Sequence, residues 1–212
     1  QSFLTIATFN SNESPFLETY LSFNTNTLKL IKNNDNYYGE IDVYIIIKDD
    51  NSETIYQDHY LLKSPIFNKE NNNIFFIDQQ RIALGKGFYT INIQLFDINN
   101  KDIKKHSEKF NINYDLTSIS SIQLIDNYSI AKEESILNKS GYALTPFISN
   151  YYPKSVDNLT YYFETYNTNL FDDQKYIINT YIESYETGVP LYNFNKVIRK
   201  VASEIESNLL SF

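Results

Sequence analysis

No cysteine, methionine or tryptophan occurs among the 212 residues, and glycine and proline number only five each. The lack of cysteine excludes disulfides, thiol catalysis and Cys-ligated zinc or iron–sulfur sites together. Long apolar runs are missing as well. The longest, such as Tyr44-Ile45-Ile46-Ile47, fall far short of the roughly 18 residues of a membrane-spanning helix. Basic residues are outnumbered 18 to 26, for a formal charge of -8. An acidic surface repels a phosphate backbone, so no nucleic-acid partner is expected. The excess is spread along the chain, with short clusters at Asp49-Asp50 and Glu133-Glu134, in the manner of ordinary solubility. The missing Met and the opening Gln1 read as a mature chain left by signal-peptide cleavage, which points to an exported protein. Position 1 is not Cys, so no lipoprotein anchor is expected there.

What is present is 42% apolar and 16% aromatic content, with 19 Tyr and 15 Phe. That suffices to bury a core in one large β domain or two of about 100 residues. Asn, Lys, Ile, Tyr and Phe dominate, as in chains coded by AT-rich genomes. The sequons Asn127-Tyr128-Ser129 and Asn158-Leu159-Thr160 are therefore expected by chance.

Period-two alternation is the main structural signal. Tyr89-Thr90-Ile91-Asn92-Ile93-Gln94-Leu95 alternates strictly, and Ile41, Val43, Ile45 and Ile47 form another inward row. Phe110, Ile112 and Tyr114 repeat the pattern. Turn clusters separate these runs at 32–36, 48–52, 68–73 and 99–102. The pattern predicts strands over 2–10, 19–23, 38–48, 54–62, 74–80, 88–98 and 104–114. Seven strands at this spacing are expected of an immunoglobulin-like sandwich. The apolar pattern lapses at Asp115–Ser121 and restarts with Ile122-Gln123-Leu124-Ile125. The expectation is an all-β chain of two consecutive β-sandwich domains, 1–116 and 117–212, the second not necessarily complete.

Further strands are predicted over 119–127, 142–150, 159–167 and 176–185. Tyr185–Pro190 reads as a hairpin turn, with Gly188 supplying an unusual φ and Pro190 stopping the strand. No internal repeat stands out beyond the two-domain rhythm. Val197, Val201, Ile205 and Leu209 fit one stripe of a short C-terminal helix or two short strands. The chain ends on Leu209-Leu210-Ser211-Phe212, an apolar stop where an exposed terminus is usual. Either more chain follows or this end is buried against something.

No cluster carries a catalytic signature. His59 and His106 are the only histidines. Their neighbours Asp58 and Ser107 point to the opposite strand face, so neither pair can make a local catalytic contact. Glu164, Glu183 and Glu186 could supply a glycosidase pair, as in any acidic β protein. Asp97, Asn99 and Glu108 fall at positions 1, 3 and 12 of a calcium loop. Lys101 occupies a ligand position and Asp102 replaces the turn glycine, so a plain hairpin is the better reading. Gly85-Lys86-Gly87 lacks the Walker spacing and runs into a strand. No metal or cofactor is expected.

The aromatics are the unusual resource. Phe75-Phe76, Tyr151-Tyr152 and Tyr161-Tyr162-Phe163 put rings on both faces of their segments, one for the core and one for solvent, a domain, a glycan or a protein. Tyr151, Tyr152, Tyr161, Leu209, Leu210 and Phe212 are the candidate partner-binding residues.

Phe76-Ile77-Asp78-Gln79-Gln80-Arg81-Ile82-Ala83-Leu84, then Gly87-Phe88-Tyr89 and Leu95-Phe96-Asp97, resembles the N-terminal region of the GWxTD-domain family. So do Glu18-Thr19-Tyr20-Leu21-Ser22-Phe23, Ile122–Asp126 and Gly141–Phe147. The naming motif itself is absent, since the chain has no Trp. The resemblance implies export in a Gram-negative bacterium and a β-sandwich N-terminal part, and it transfers no catalytic residue. The functional expectation is a non-catalytic scaffold or accessory subunit of an envelope assembly. It would act in the periplasm, at the outer membrane or at the cell surface, with envelope proteins as partners. The alternative is an exported carbohydrate-binding module that uses exposed tyrosines.

Overall fold

The computed structural model describes residues 2–68, 73–100, 103–133, 135–149, 151–154 and 156–212. It is all-β, with antiparallel strands joined by turns and short 3-10 segments. Two compact units emerge: residues 1–6 with 14–113, and residues 7–13 with 114–212.

The first unit contains β1 (Ser2–Phe9), β2 (Phe16–Asn24), β3 (Ile31–Asn33), β4 (Asn36–Tyr38), β5 (Glu40–Asp49), β6 (Thr54–Lys63), β7 (Phe67–Asn68), β8 (Phe75–Ala83), β9 (Gly87–Asp97) and β10 (Ile103–Ile112). The last residues of β1, from Ala7, are assigned to the second unit. One sheet has the order β1-β2-β8 and a second the order β10-β9-β5-β6. The alternation of β5 and β9 produces the core directly: Val43, Ile45, Ile47, Ile91 and Ile93 have no exposed surface. Ile45 lies opposite Ile93, and Val43 opposite Leu95. Burying each such side chain contributes about 1.5–3 kcal/mol. In β2 the strand expected over 19–23 is present but longer, and seven successive residues are buried. A strand covered on both faces loses the period-two signal.

The second unit contains β11 (Ser118–Ile119), β12 (Gln123–Ile130), β13 (Asn138–Lys139), β14 (Tyr142–Pro146), β15 (Thr160–Tyr166), β16 (Lys175–Glu183), β17 (Pro190–Val201) and β18 (Ile205–Ser211). Its larger sheet has β15 at the centre, with β18 on one side and β11 and β12 on the other. β16 and β17 form a separate two-stranded sheet. Tyr161, Phe163 and Ile178 make the core here, joined by Leu124, Tyr176, Leu210 and Phe212.

Several expectations need correction. Of the two readings of Val197–Leu209, the strand one holds and the short C-terminal helix does not: the stretch is the end of β17, a short connection and the start of β18. The i, i+4 stripe is outcompeted by antiparallel pairing of β18 with β15 and of β17 with β16. Pro190 does not stop a strand but opens β17, a first position where its missing N–H costs no ladder bond. Gly188 does supply the left-handed residue of that turn, at φ 64°. The predicted strand over 119–127 is broken into β11 and β12. The turn expected over 68–73 lies mostly outside the described residues.

Candidate functional site

β2 and β15 each carry a buried carboxylate within a Glu-Thr-Tyr tripeptide, 18–20 and 164–166. On a strand, residues two apart share a face, so each Tyr hydroxyl can reach back to its Glu. Tyr20 donates to Glu18, whose other oxygen accepts from Arg81 Nε at 2.8 Å. The guanidinium also lies over the Phe16 ring. Tyr166 donates to Glu164 at 2.6 Å, and Tyr162 donates to the other oxygen. The Glu164 amide donates to Ser120 Oγ at 2.9 Å. Burial beside Glu164 pushes the Tyr166 hydroxyl far up in pKa, locking it as a donor. Glu164 is thus engaged as an acceptor on both oxygens, while Glu183 is exposed at the end of β16. Glu186 is exposed in the turn that follows β16.

A third buried carboxylate, Asp78, accepts from Tyr60 at 2.5 Å and from Gln80 Nε2 at 3.2 Å. Burial raises its pKa, and the two hydrogen bonds oppose that rise. Sequence reasoning missed this group because nothing local marks a strand aspartate as inward-facing. His106 is half-buried, with Ser2 Oγ 3.2 Å from its Nε2, and desolvation holds its pKa below the usual histidine value. His59 lies on β6 with its ring Nε2 3.4 Å from Asp42; its backbone amide donates to Asp58 Oδ1 at 2.8 Å, and its ring stacks on Tyr44 at 4.0 Å. In the calcium-like stretch, Asp97 caps a hairpin turn: its carboxylate accepts from the amides of Lys29 and Asn99. Glu108 sits out on β10, opposite Ile91. Lys101 and Asp102 lie outside the described residues. Among the described residues, no three His, Asp or Glu side chains gather to hold a metal ion.

The six candidate partner-binding residues do not share one surface. Tyr161 is not exposed: it is 3% accessible, stacks on Phe212 at 5.2 Å and bonds Thr180 through its hydroxyl. Leu210 pairs with Tyr161 across β15 and β18 and joins the same core. Residues 209–212 are therefore half-buried, with Leu210 and Phe212 packed against the core of their own sheet. Leu209, one residue along, pairs with Tyr162 and points to the opposite strand face. Tyr152 stacks on Phe147 at 4.0 Å, which leaves Tyr151 as the exposed member.

The exposed apolar surface that the sequence did not reveal is the β16–β17 hairpin. Ile177, Tyr181, Val197 and Val201 are exposed on one face, and Tyr185, Leu191 and Tyr192 are exposed toward the tip. Ile177 is 62% and Tyr192 97% accessible. The other face packs by Tyr176 and Ile178 onto the β15 core. An isolated two-stranded ribbon is marginal in water, and a contiguous apolar patch of this kind marks an interaction surface. Four cations, Lys175, Lys196, Arg199 and Lys200, stand against Glu183 and Glu186, so the hairpin is locally basic in an acidic chain.

No protein-family model matches this chain, and no curated protein matches it significantly in sequence.

Proposed function

We propose that this chain is a non-catalytic interaction protein of two immunoglobulin-like sandwich domains that docks onto a larger assembly. The observation that carries this reading is the β16–β17 hairpin, whose exposed Ile177, Val197, Val201 and Tyr192 lie in one continuous element. The buried carboxylates support it by being engaged in packing networks. The resemblance to the N-terminal region of the GWxTD-domain family and the expected export support an assembly in a Gram-negative envelope, at the periplasm or outer membrane. Among the described residues, no helix is long and apolar enough to cross a membrane. The test is capture of the tagged protein from gently extracted native envelopes, with partners identified by mass spectrometry. A stoichiometric partner set lost on Ile177→Ser with Val197→Ser supports the reading, and recovery of the protein alone overturns it.

A second reading, glycan binding, is favoured by a slot on the outer face of the β10-β9-β5-β6 sheet. Tyr44 and Phe96 wall a depression of about 150 Å³ with Ile46, Asn92 and Gln94. Asn92 Oδ1 accepts from Ser107 Oγ at 3.0 Å. Aromatic walls beside carboxamides suit a neutral sugar ring. Retention on polysaccharide affinity gels that Tyr44→Ala abolishes would support this reading, and no retained polysaccharide would remove it.

A further inference from the structure

The two units share a strand plan. In the first, β2 runs into a 3-10 turn at Thr25–Thr27, then come the β5–β6 hairpin and β8, which returns antiparallel to β2. In the second, β15 runs into a 3-10 turn at Thr168–Leu170, then come the β16–β17 hairpin and β18, which returns antiparallel to β15. Each central strand has its remaining neighbour on the far side, β1 in one and β11 with β12 in the other. The correspondence reaches single residues. Glu-Thr-Tyr recurs on β2 and β15, with Tyr bonded to Glu in both. Asn-Thr-Asn opens both turns, and its threonine is buried in both, Thr25 and Thr168. Each threonine hydroxyl accepts a backbone amide from just before the returning strand, from Ile74 and from Ser203. The repeat hides in the sequence because β2 runs three residues further than β15 before its turn and because β3, β4 and β7 have no counterparts.

The plans diverge after the returning strand. In the first unit, β9 follows β8 and pairs antiparallel with β5 along nine residue pairs, Ile41↔Asp97 to Asp49↔Tyr89. Its inward row Tyr89, Ile91, Ile93 and Leu95 completes the core, and the β5 row Ile41, Val43, Ile45 and Ile47 is buried throughout. β16 occupies the place of β5, yet among the described residues it pairs with β17 alone. Of its inward row Tyr176, Ile178, Thr180 and Ile182, only Ile178 is buried. The second unit thus presents an open strand edge and a partly filled core at the position that β9 fills in the first.

We infer that the open edge of β16 is an acceptor for one antiparallel polypeptide strand of the β9 kind, alternating apolar and polar. The occupant's main chain would satisfy the unpaired edge of β16, and its apolar side chains would lie beside Tyr176, Ile178 and Ile182. Strand addition of this kind draws affinity from main-chain bonds and specificity from alternate side chains. The inference rests on the interaction reading and supplies the partner's chemistry.

The probe is a synthetic peptide of residues 87–112, the protein's own β9–β10 hairpin, titrated against the full 212-residue chain. Expected are saturable binding and new amide-exchange protection confined to Tyr176–Ile182, with β5 protection unchanged. The same peptide carrying Ile91→Asp and Ile93→Asp should bind about tenfold or more weakly. No saturable binding overturns the inference, as does protection appearing on β17 or β6 instead of β16. Protection of β16 by self-association, without peptide, would substitute a second copy for the donor and also overturn it. The interaction reading fails separately, through envelope capture that is indifferent to Ile177→Ser and Val197→Ser.

Discussion

Tyr166 donates its hydroxyl to Glu164 at 2.6 Å, two residues back on the same face of β15. The same hydroxyl accepts the Asn10 amide at 2.9 Å, so one phenol oxygen closes two buried demands. Tyr166→Phe should therefore cost about 1–3 kcal/mol, the penalty of leaving buried polar groups short of a partner. Chemical denaturation followed by far-UV circular dichroism measures it. Tyr162→Phe should cost less if Ser140, 3.1 Å from that hydroxyl, lies near enough to water to be resolvated. Equal costs for the two variants would show that Glu164 alone decides the penalty.

Arg81 meets a carboxylate with no exposed surface. Its Nη2 lies 2.6 Å from Glu18 Oε1. Removing the cation strands a buried charge, so Arg81→Ala should destabilise by about 3–5 kcal/mol. Glu18→Gln with Arg81→Met should recover most of that loss. A double variant as unstable as the single one would mean that packing over Phe16, not charge, sets the cost.

The exposed face of the hairpin should be nearly silent for folding. Ile177→Ser with Val197→Ser should change stability by no more than about 0.5 kcal/mol each and reduce binding of an apolar fluorescent dye. A loss of several kcal/mol would show that this face is covered within the protein.

Asp78 and His106 give opposite pH responses in the first unit. Burial raises the Asp78 pKa above 3.8, so its contribution is fullest below the ordinary carboxylate range and declines as pH rises through the raised value. Asp78→Asn should flatten that decline in a series of melting temperatures from pH 3 to 7 (about four points suffice). Burial lowers the His106 pKa below 6.5, so its contribution is present above that value and is lost as pH falls through the depressed one. His106→Gln should remove this acid-side loss.

The legible part of the fold lay where one strand face is wet. β5 and β9 were visible because Asp42, Asn92 and Gln94 alternate with buried Ile and Val. β15 was visible as a strand, but its burial was not: Tyr161, Tyr162 and Phe163 all lie inside, where an outward ring was expected. Of the candidate contact residues, Tyr151 was legible as exposed, whereas Tyr161, Leu210 and Phe212 were taken into the core by a strand 50 residues away. The β16–β17 surface was illegible because an apolar residue on an amphipathic strand carries no local mark of whether a partner covers it.

The sequence by itself determined the strand class, the pauses between strands and the acidic, cysteine-free surface, since these follow from residue periodicity and charge over a few neighbours. Only the tertiary structure decided that Val197–Leu209 is strand and that Glu18, Asp78 and Glu164 are buried. It alone decided that, among the described residues, β16 has one neighbour where β5 has two. Those outcomes depend on which distant backbone edge each strand meets, and pairing free energy is set by non-local contacts that no window of sequence contains.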